Sequence, residues 1–191
     1  MGRLSGPGRS PRLEMSAEDV VDLLGTIGAA GIDVWLDGGW AVDAALEIQT
    51  RPHDDLDLVI ELRNVETLID ILQRRGYVLV RGNAPKSFEL TDADGRQVDV
   101  HPIALSDSGD GVYLMDDGRK WIYPAAGFAG SGRVSDRDVR CLTAAVQILC
   151  HAGYEPHRTS YDDVWALCRR FDIPVPNEYS RARESYPLRE A

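Results

Sequence analysis

The segment RPHDDLDLVI, residues 51–60, decides the fold. Asp55 and Asp57 alternate with Leu56 and Leu58, and this period of two predicts a β-strand with one apolar face. Both carboxylates leave the opposite face, roughly 6.5 to 7 Å apart along the chain. Two carboxylates held this close repel each other unless a cation lies between them. The segment therefore predicts a strand whose first residues bind a divalent metal ion.

A third carboxylate strengthens this interpretation. Asp99 lies between Val98 and Val100 in RQVDVHPI, a second strand candidate. Two Mg²⁺ ions about 4 Å apart, bridged by carboxylate oxygens, are the arrangement used in nucleotidyl transfer. Asp99 would supply a further oxygen ligand or act as the base for an acceptor hydroxyl. The alternative for all of these residues is a strand edge whose acidic side chains face solvent.

A glycine pair precedes the acidic strand. In DGGWAVD, residues 37–43, Gly38 and Gly39 stand between a predicted strand and a predicted helix. Free N–H groups at the start of a helix, together with the helix dipole, attract phosphate. The alternative is a tight turn that needs glycine only for a positive φ angle.

The order of predicted elements indicates one domain with an α+β fold. Helix, strand, helix, strand and helix are followed by several strands and then by helices, which favours a mixed sheet with helices on one face plus C-terminal helices. We expect a flexible tail over residues 1–15, a core over 16–135 and a helical portion over 136–191 packed on that core. Residues 104–133 predict loops and an irregular hairpin, and no periodicity is visible after Pro174.

Composition narrows the class of partner. The net charge of −10 disfavours a nucleic-acid surface, which needs clustered Lys and Arg, and suits a cationic small substrate or simply solubility. Three cysteines without a paired spacing predict reduced thiols and a cytoplasmic location. No apolar stretch approaches the roughly 20 residues of a membrane span. A homodimer is left open.

Several of these stretches together resemble the nucleotidyltransferase superfamily that includes DNA polymerase β. Within it, the chain looks like the small lincosamide nucleotidyltransferases and, next, the aminoglycoside 2″-nucleotidyltransferases. The resemblance extends over residues 17–167 and depends on WLDGGWAVDAAL, TRPHDDLDLVI, FELTDADGRQVDVHPIAL and, more weakly, CLTAAVQILCHAGYEPHRTSYDDVWAL. It implies a polymerase β-like nucleotidyltransferase core.

The resemblance also implies the roles of the acidic residues. Asp55 and Asp57 would be the metal-binding pair that positions a nucleoside triphosphate. Asp99 would complete the metal shell, take the proton of the drug hydroxyl, or do both. The implied cofactor is Mg²⁺, as two ions, and the implied co-substrate is ATP or another nucleoside triphosphate.

Phosphate and substrate contacts follow in the same way. Gly38 and Gly39 would hold the β- and γ-phosphates, with Arg51 and Lys86 as their charge partners. His53 would lie beside the metal pair as a polar support. Glu89 is a further candidate for the substrate side, although strand alternation turns it equally well to the cleft or to solvent. At PKSFEL the chain departs from the lincosamide pattern, which has an arginine in the place of Ser87.

The function implied is transfer of a nucleoside monophosphate, AMP from ATP, to a hydroxyl of a lincosamide or aminoglycoside, which inactivates the drug. Two alternatives stay open. One is the same chemistry on tRNA or another macromolecule, and the other is a nucleotide-binding module without catalysis.

Overall fold

The computed structural model describes residues 14–115, 117–151 and 158–181. Six α-helices alternate with nine strands in these ranges. The helices are α1 (Ala17–Ala29), α2 (Gly38–Leu46), α3 (Val65–Arg74), α4 (Ala144–Cys150), α5 (Arg158–Phe171) and α6 (Asn177–Arg181). The strands are β1 (Val34–Asp37), β2 (Asp55–Glu61), β3 (Val78–Gly82), β4 (Phe88–Thr91), β5 (Gln97–Leu105), β6 (Gly111–Leu114), β7 (Lys120–Tyr123), β8 (Ser131–Val134) and β9 (Arg137–Arg140).

Ser16, followed by Glu18 and Asp19, predicts a helix start, and the first helix begins there. Ser16 is the N-cap of α1, its hydroxyl accepts from the backbone N–H of Asp19, and the Asp19 carboxylate accepts from the N–H of Ser16. This reciprocal pair satisfies two N–H groups that a helix start leaves without intrahelical partners. Val20, Leu23 and Ile27 then lie on the buried face of the helix.

A mixed sheet forms the centre of the molecule. Its strand order is β1-β2-β5-β4-β3, and β6 and β7 extend it from the second half of β5. The central strands β2 and β5 run parallel, and all other neighbours in this sheet are antiparallel. The predicted mixed sheet of an α+β fold is therefore confirmed.

Alternation along the central strands separates two groups of side chains. Leu56, Leu58 and Val100 belong to the larger core, which also contains buried residues of α1 and α3. Residues one position along, such as Val59 and Ile103, lie on the opposite face in a smaller cluster. The acidic residues of β2 and β5 share that opposite face, because side chains alternate along a strand.

Three elements differ from the sequence prediction. The expected irregular hairpin is a regular antiparallel pair, β6 with β7, that joins the main sheet. A second hairpin, β8 with β9, was not predicted. The short helix α6 follows Pro176 where no periodicity was visible.

The N-terminal tail predicted for residues 1–15 falls mostly outside the described residues. Met15, at its end, is buried, and its backbone N–H donates to the carbonyl oxygen of His53 at 2.8 Å. Across the ranges that the structure describes, every helix is too short or too polar to cross a membrane.

Candidate active site

Four carboxylates stand side by side across the sheet. Asp37 is opposite Asp57 in the pairing of β1 with β2, Asp57 is opposite Asp99 in that of β2 with β5, and Asp99 is opposite Glu89 in that of β5 with β4. Residues directly opposite in neighbouring strands point to the same face. Asp55, two residues before Asp57 on β2, adds a fifth carboxylate to this face.

Burial and neighbouring negative charges raise the pKa values of three of these carboxyl groups. Burial, followed by the charges of Asp57 and Asp54, raises the pKa of Asp55 to about 6. Burial raises the pKa of Asp99 to about 6 as well, and the charges of Asp57 and Glu89 add to this against the opposing effect of His101. For Asp37 too, burial and then Asp57 raise the pKa. The face is electrostatically unfavourable as an all-anionic surface without a cation.

His101 lies among these carboxylates and was not predicted as a site residue. Its Nε2 atom is 3.5 Å from an Asp57 oxygen. Burial lowers the pKa of His101, but the hydrogen bond and charge of Asp57 and the charges of Asp99 and Asp37 outweigh it and raise the pKa to about 9. The sequence signal was available, because His101 is two residues beyond Asp99 on the same strand face.

The acidic face has the donor set of a divalent cation site. One ligand atom each from Asp57, Asp99 and His101 lies within 4.8 Å of the others. The Oδ1 atom of Asp99 is buried and has no hydrogen-bond partner among the described residues. Carboxylate oxygens suit Mg²⁺, and imidazole suits several other divalent metals. The residues present therefore fit a bound cation.

Gly38 brings the first turn of α2 against Asp57. Its φ angle is +58°, and a Cβ atom at this position would overlap the Asp57 carboxylate. Asp37 caps the helix, with its Oδ1 accepting from the Gly38 N–H at 2.8 Å. Both the positive φ and the close approach require glycine at position 38. The glycine turn is thus in contact with the acidic face.

Gly39 makes a second close approach, to two residues of the opening motif. A Cβ atom here would overlap the ring of His53 and lie 2.7 Å from a terminal nitrogen of Arg51. The guanidinium of Arg51 therefore lies directly against the glycine turn. Its side chain is 32% exposed, so part of it faces solvent beside that turn.

The structure places His53 behind the turn, in the interior. The ring is buried, it packs on Trp40 with centroids 4.8 Å apart, and its Nε2 is 2.5 Å from a carboxylate oxygen of Asp43. Trp40 is 2% exposed, so this tryptophan is a core residue and does not present a surface for a base.

The two remaining predicted residues lie at the β4 side of the sheet. Glu89 is half-buried on β4 and forms an ion pair with Arg81 of β3. Lys86 is half-buried in the turn between β3 and β4. A contact of either residue with a nucleotide or a drug stays a prediction.

Aromatic side chains continue the face beyond His101. Tyr113 of β6 packs edge-on against His101 with ring centroids 5.6 Å apart. Trp121 of β7 is opposite Tyr113 and half-buried, and it packs edge-on against Tyr123. The hydroxyl of Tyr123 donates to Asp37 at 3.3 Å. Three aromatic residues, here called the aromatic wall (Tyr113, Trp121 and Tyr123), thus border the carboxylates.

Paired carboxylates on parallel neighbouring strands, in contact with a glycine turn at a helix start, are the arrangement that the sequence predicts for a nucleotidyltransferase. A family model described as aminoglycoside-2″-adenylyltransferase matches residues 19–167, and the chain belongs to this family of nucleotidyltransferases. The predicted resemblance is confirmed.

Two relatives with similar sequences are antibiotic resistance proteins or antibiotic nucleotidyltransferases. A lincosamide resistance protein of Staphylococcus haemolyticus is 29% identical over 133 residues, which cover 70% of this chain and 82% of that protein. A 2″-aminoglycoside nucleotidyltransferase of Escherichia coli is 30% identical over 113 residues, which cover 58% of each chain.

Solved structures show the same fold. The lincosamide antibiotic adenylyltransferase LnuA, crystallised with lincomycin bound, superposes with a TM-score of 0.73 at 26% identity, covering 85% of this chain and 100% of that one. The aminoglycoside enzyme ANT(2″)-Ia, in complex with adenylyl-2″-tobramycin, gives a TM-score of 0.66 at 20% identity over 88% of this chain and 97% of that one.

Proposed function

We propose that this enzyme transfers a nucleoside monophosphate, AMP from ATP, to a hydroxyl of a small antibiotic of the lincosamide or aminoglycoside class. The observation that carries the proposal is the pairing of Asp57 with Asp99 in direct contact with the Gly38 turn. Family membership supports the kind of reaction, and the drugs named for LnuA and ANT(2″)-Ia support the acceptor class.

The acidic face is the proposed metal site. Asp55, Asp57 and Asp99 would hold two Mg²⁺ ions, with His101 as a further neighbour of Asp57. When bound, the ions would stabilise charge on the attacking and leaving oxygens during phosphoryl transfer. The raised pKa values of Asp55 and Asp99 are consistent with this assignment, because burial and neighbouring carboxylates disfavour their ionised forms and a bound cation would favour them.

The glycine turn is the proposed phosphate site. The N–H groups at the start of α2, beside Gly38 and Gly39, would donate to the β- and γ-phosphates. Arg51 lies against Gly39 and would add a positive charge with a forked set of donors. Lys86 is proposed as a second cation for the same phosphates. These residues would orient the triphosphate so that its α-phosphorus faces Asp57 and Asp99.

Asp99 is the proposed base. Its Oδ1 atom, buried and without a hydrogen-bond partner in the described part of the chain, is available to accept the proton of the acceptor hydroxyl. The hydroxyl oxygen then forms a bond to the α-phosphorus as the bond to pyrophosphate breaks, and pyrophosphate leaves with the electron pair. No covalent enzyme intermediate is required.

The aromatic wall is the proposed acceptor surface. Tyr113 packs against His101 and Trp121 packs against Tyr123, and an aromatic ring binds the apolar face of a sugar or a ring. Glu89 and the net charge of −10 would favour amine-bearing acceptors and disfavour tRNA, which needs a basic surface. We propose a cytoplasmic enzyme on the basis of its three free cysteines.

The test is an acceptor panel. Enzyme with Mg²⁺ is incubated with each of the four nucleoside triphosphates and with lincosamides, aminoglycosides or tRNA, and pyrophosphate release is measured. Pyrophosphate release with a drug and a matching mass increase of that drug are expected. Transfer to tRNA alone would replace the acceptor class, and nucleotide binding without any transfer would leave a non-catalytic module.

A further inference from the structure

A chain of hydrogen-bonded polar side chains links helix α5 to the glycine turn. Asp163 of α5 accepts from a terminal nitrogen of Arg51 at 3.1 Å, and the other terminal nitrogen of Arg51 is 2.8 Å from Nδ1 of His53. Nε2 of His53 is 2.5 Å from Asp43 of α2. Asp43, His53 and Asp163 are all buried.

The direction of each hydrogen bond follows from what its members can do. A guanidinium has donors only, so Nδ1 of His53 must accept from Arg51. The remaining proton of the neutral imidazole is then on Nε2, which donates to Asp43. Asp43 also accepts from the backbone N–H and the hydroxyl of Thr50, at 3.1 and 2.6 Å. Asp43 therefore fixes the orientation of the His53 ring through Nε2, and the ring in turn holds Arg51 through Nδ1.

Asp163 and His53 thus hold the two terminal nitrogens of Arg51, while part of the Arg51 side chain stays exposed to solvent. Its side chain is 32% exposed, whereas that of Asp163 is 7% exposed. The terminal nitrogen that Asp163 holds is also the atom that lies against Gly39. A free arginine side chain has many rotamers, and these two contacts restrict them before any phosphate binds.

We infer that Asp163 is a positioning residue, which holds the guanidinium of Arg51 against the glycine turn so that α5 sets the affinity of the site for the triphosphate group. The inference rests on the proposed function for its ligand, a linear polyphosphate, but not on the identity of the base or the drug. A purely structural role is the competing explanation, because a buried ion pair also ties α5 to α2 and β2.

Inorganic tripolyphosphate is the probe, because it isolates the phosphate contacts from those of base and sugar. Its dissociation constant is measured by calorimetry at fixed Mg²⁺ on the full chain. We expect Asp163→Ala to weaken tripolyphosphate binding about tenfold, because the variant loses the charge-assisted hydrogen bond that holds Arg51 in place. Asp163→Asn keeps an oxygen acceptor for Arg51 and is expected to stay close to wild type. Where the alanine variant does not fold, Asp163→Glu, which moves the carboxylate by one methylene, is expected to weaken binding in the same direction.

Two further variants separate positioning from stability. Val164→Ala shortens a buried neighbour on α5 that has no polar side-chain atom to offer Arg51, so it should lower the melting temperature and leave tripolyphosphate binding unchanged. In an Arg51→Met background, Asp163→Ala should have no further effect on binding, because it acts through that arginine. AMP, which lacks the β- and γ-phosphates, should bind all Asp163 variants alike.

Three results would overturn the inference: equal weakening by Val164→Ala, tighter binding of tripolyphosphate to Asp163→Ala, or an undiminished effect in the Arg51→Met background. Each of these leaves the proposed transfer reaction intact, since that reaction is tested by product formation. An enzyme that binds tripolyphosphate as expected but modifies no drug would overturn the acceptor assignment alone.

Discussion

Asp57 and Asp99 lie directly opposite each other on the parallel strands β2 and β5, although they are 42 positions apart in the sequence. Parallel strands need a crossover connection, and here α3, β3 and β4 intervene. The pairing brings two carboxylates to one level of the sheet beside a glycine turn, and from this one relationship most of the proposed chemistry follows.

Replacing either carboxylate of the β2 pair should remove activity without unfolding the protein. Asp55→Asn and Asp57→Asn are each expected to lower kcat at least about a hundredfold, because each removes an oxygen ligand and a negative charge from the cation site. Asp55→Asn should also raise the metal-free melting temperature, since its pKa of about 6 shows that the ionised form is disfavoured in the fold. Asp54→Asn changes the same charge at an exposed neighbour and should keep wild-type kcat. Full turnover in either site variant would remove the metal assignment.

Metal binding should depend on pH through Asp55 and Asp99. Their folded-state pKa values of about 6 exceed the ordinary value of 3.8, so between about pH 4 and 6 the folded protein binds more protons than the unfolded chain. Without metal, the protein therefore loses stability as the pH rises through this range, because Asp55 and Asp99 ionise less readily in the folded state than in the unfolded chain. Mg²⁺ binds the ionised carboxylates, so its stabilising effect should be small at pH 5 and grow toward pH 8.

Thermal denaturation with and without Mg²⁺ at several pH values measures this effect. In the double variant Asp55→Asn and Asp99→Asn, the melting temperature near pH 6 should change little with pH or with added Mg²⁺. An equal Mg²⁺ shift at pH 5 and pH 8 in the wild type would show that other groups bind the ion.

The two turn glycines should respond differently to alanine. Gly38→Ala combines a strained φ of +58° with overlap of Asp57, so both stability and kcat should fall, by about 1 kcal/mol or more for the backbone alone. Gly39→Ala would displace His53 and Arg51, so the KM for the nucleoside triphosphate should rise more than kcat falls. Steady-state kinetics distinguishes the two.

Gly28→Ala is the matched control for both substitutions. Gly28 lies in α1, where an added Cβ atom would meet nothing within 4 Å, so alanine should raise stability by about 0.5 to 1 kcal/mol and leave kinetics unchanged. Wild-type kinetics in Gly39→Ala would show that the turn tolerates a side chain and that Arg51 is not needed there.

Trp121→Ala should raise the KM for the acceptor about tenfold and leave the KM for the nucleoside triphosphate unchanged, because it removes one ring of the aromatic wall. Ile122→Ala alters the next residue of β7, which is exposed on the opposite face, and should change neither constant. A rise in the KM for the nucleoside triphosphate instead would reassign Trp121 to the nucleotide base.

The local patterns of the sequence determined much of this protein. Alternation in residues 55–61, the capping residues Ser16 and Asp19, and the Gly-Gly step predicted β2, α1 and the turn, because each depends on neighbours within a few positions. The acidic residues of both central strands were identified by type and spacing. The hairpin β8–β9 and the helix α6 were missed, since their short segments carry no clear period.

Only the tertiary structure decided which of these residues meet. His101 became a site residue when β5 was placed next to β2, and Asp163 reached Arg51 across 112 positions of sequence. The tertiary structure also buries His53 against Asp43 and Trp40. Side-chain periodicity reports which face a residue takes on its own element, whereas contact between elements depends on strand order and helix packing, which no local pattern encodes.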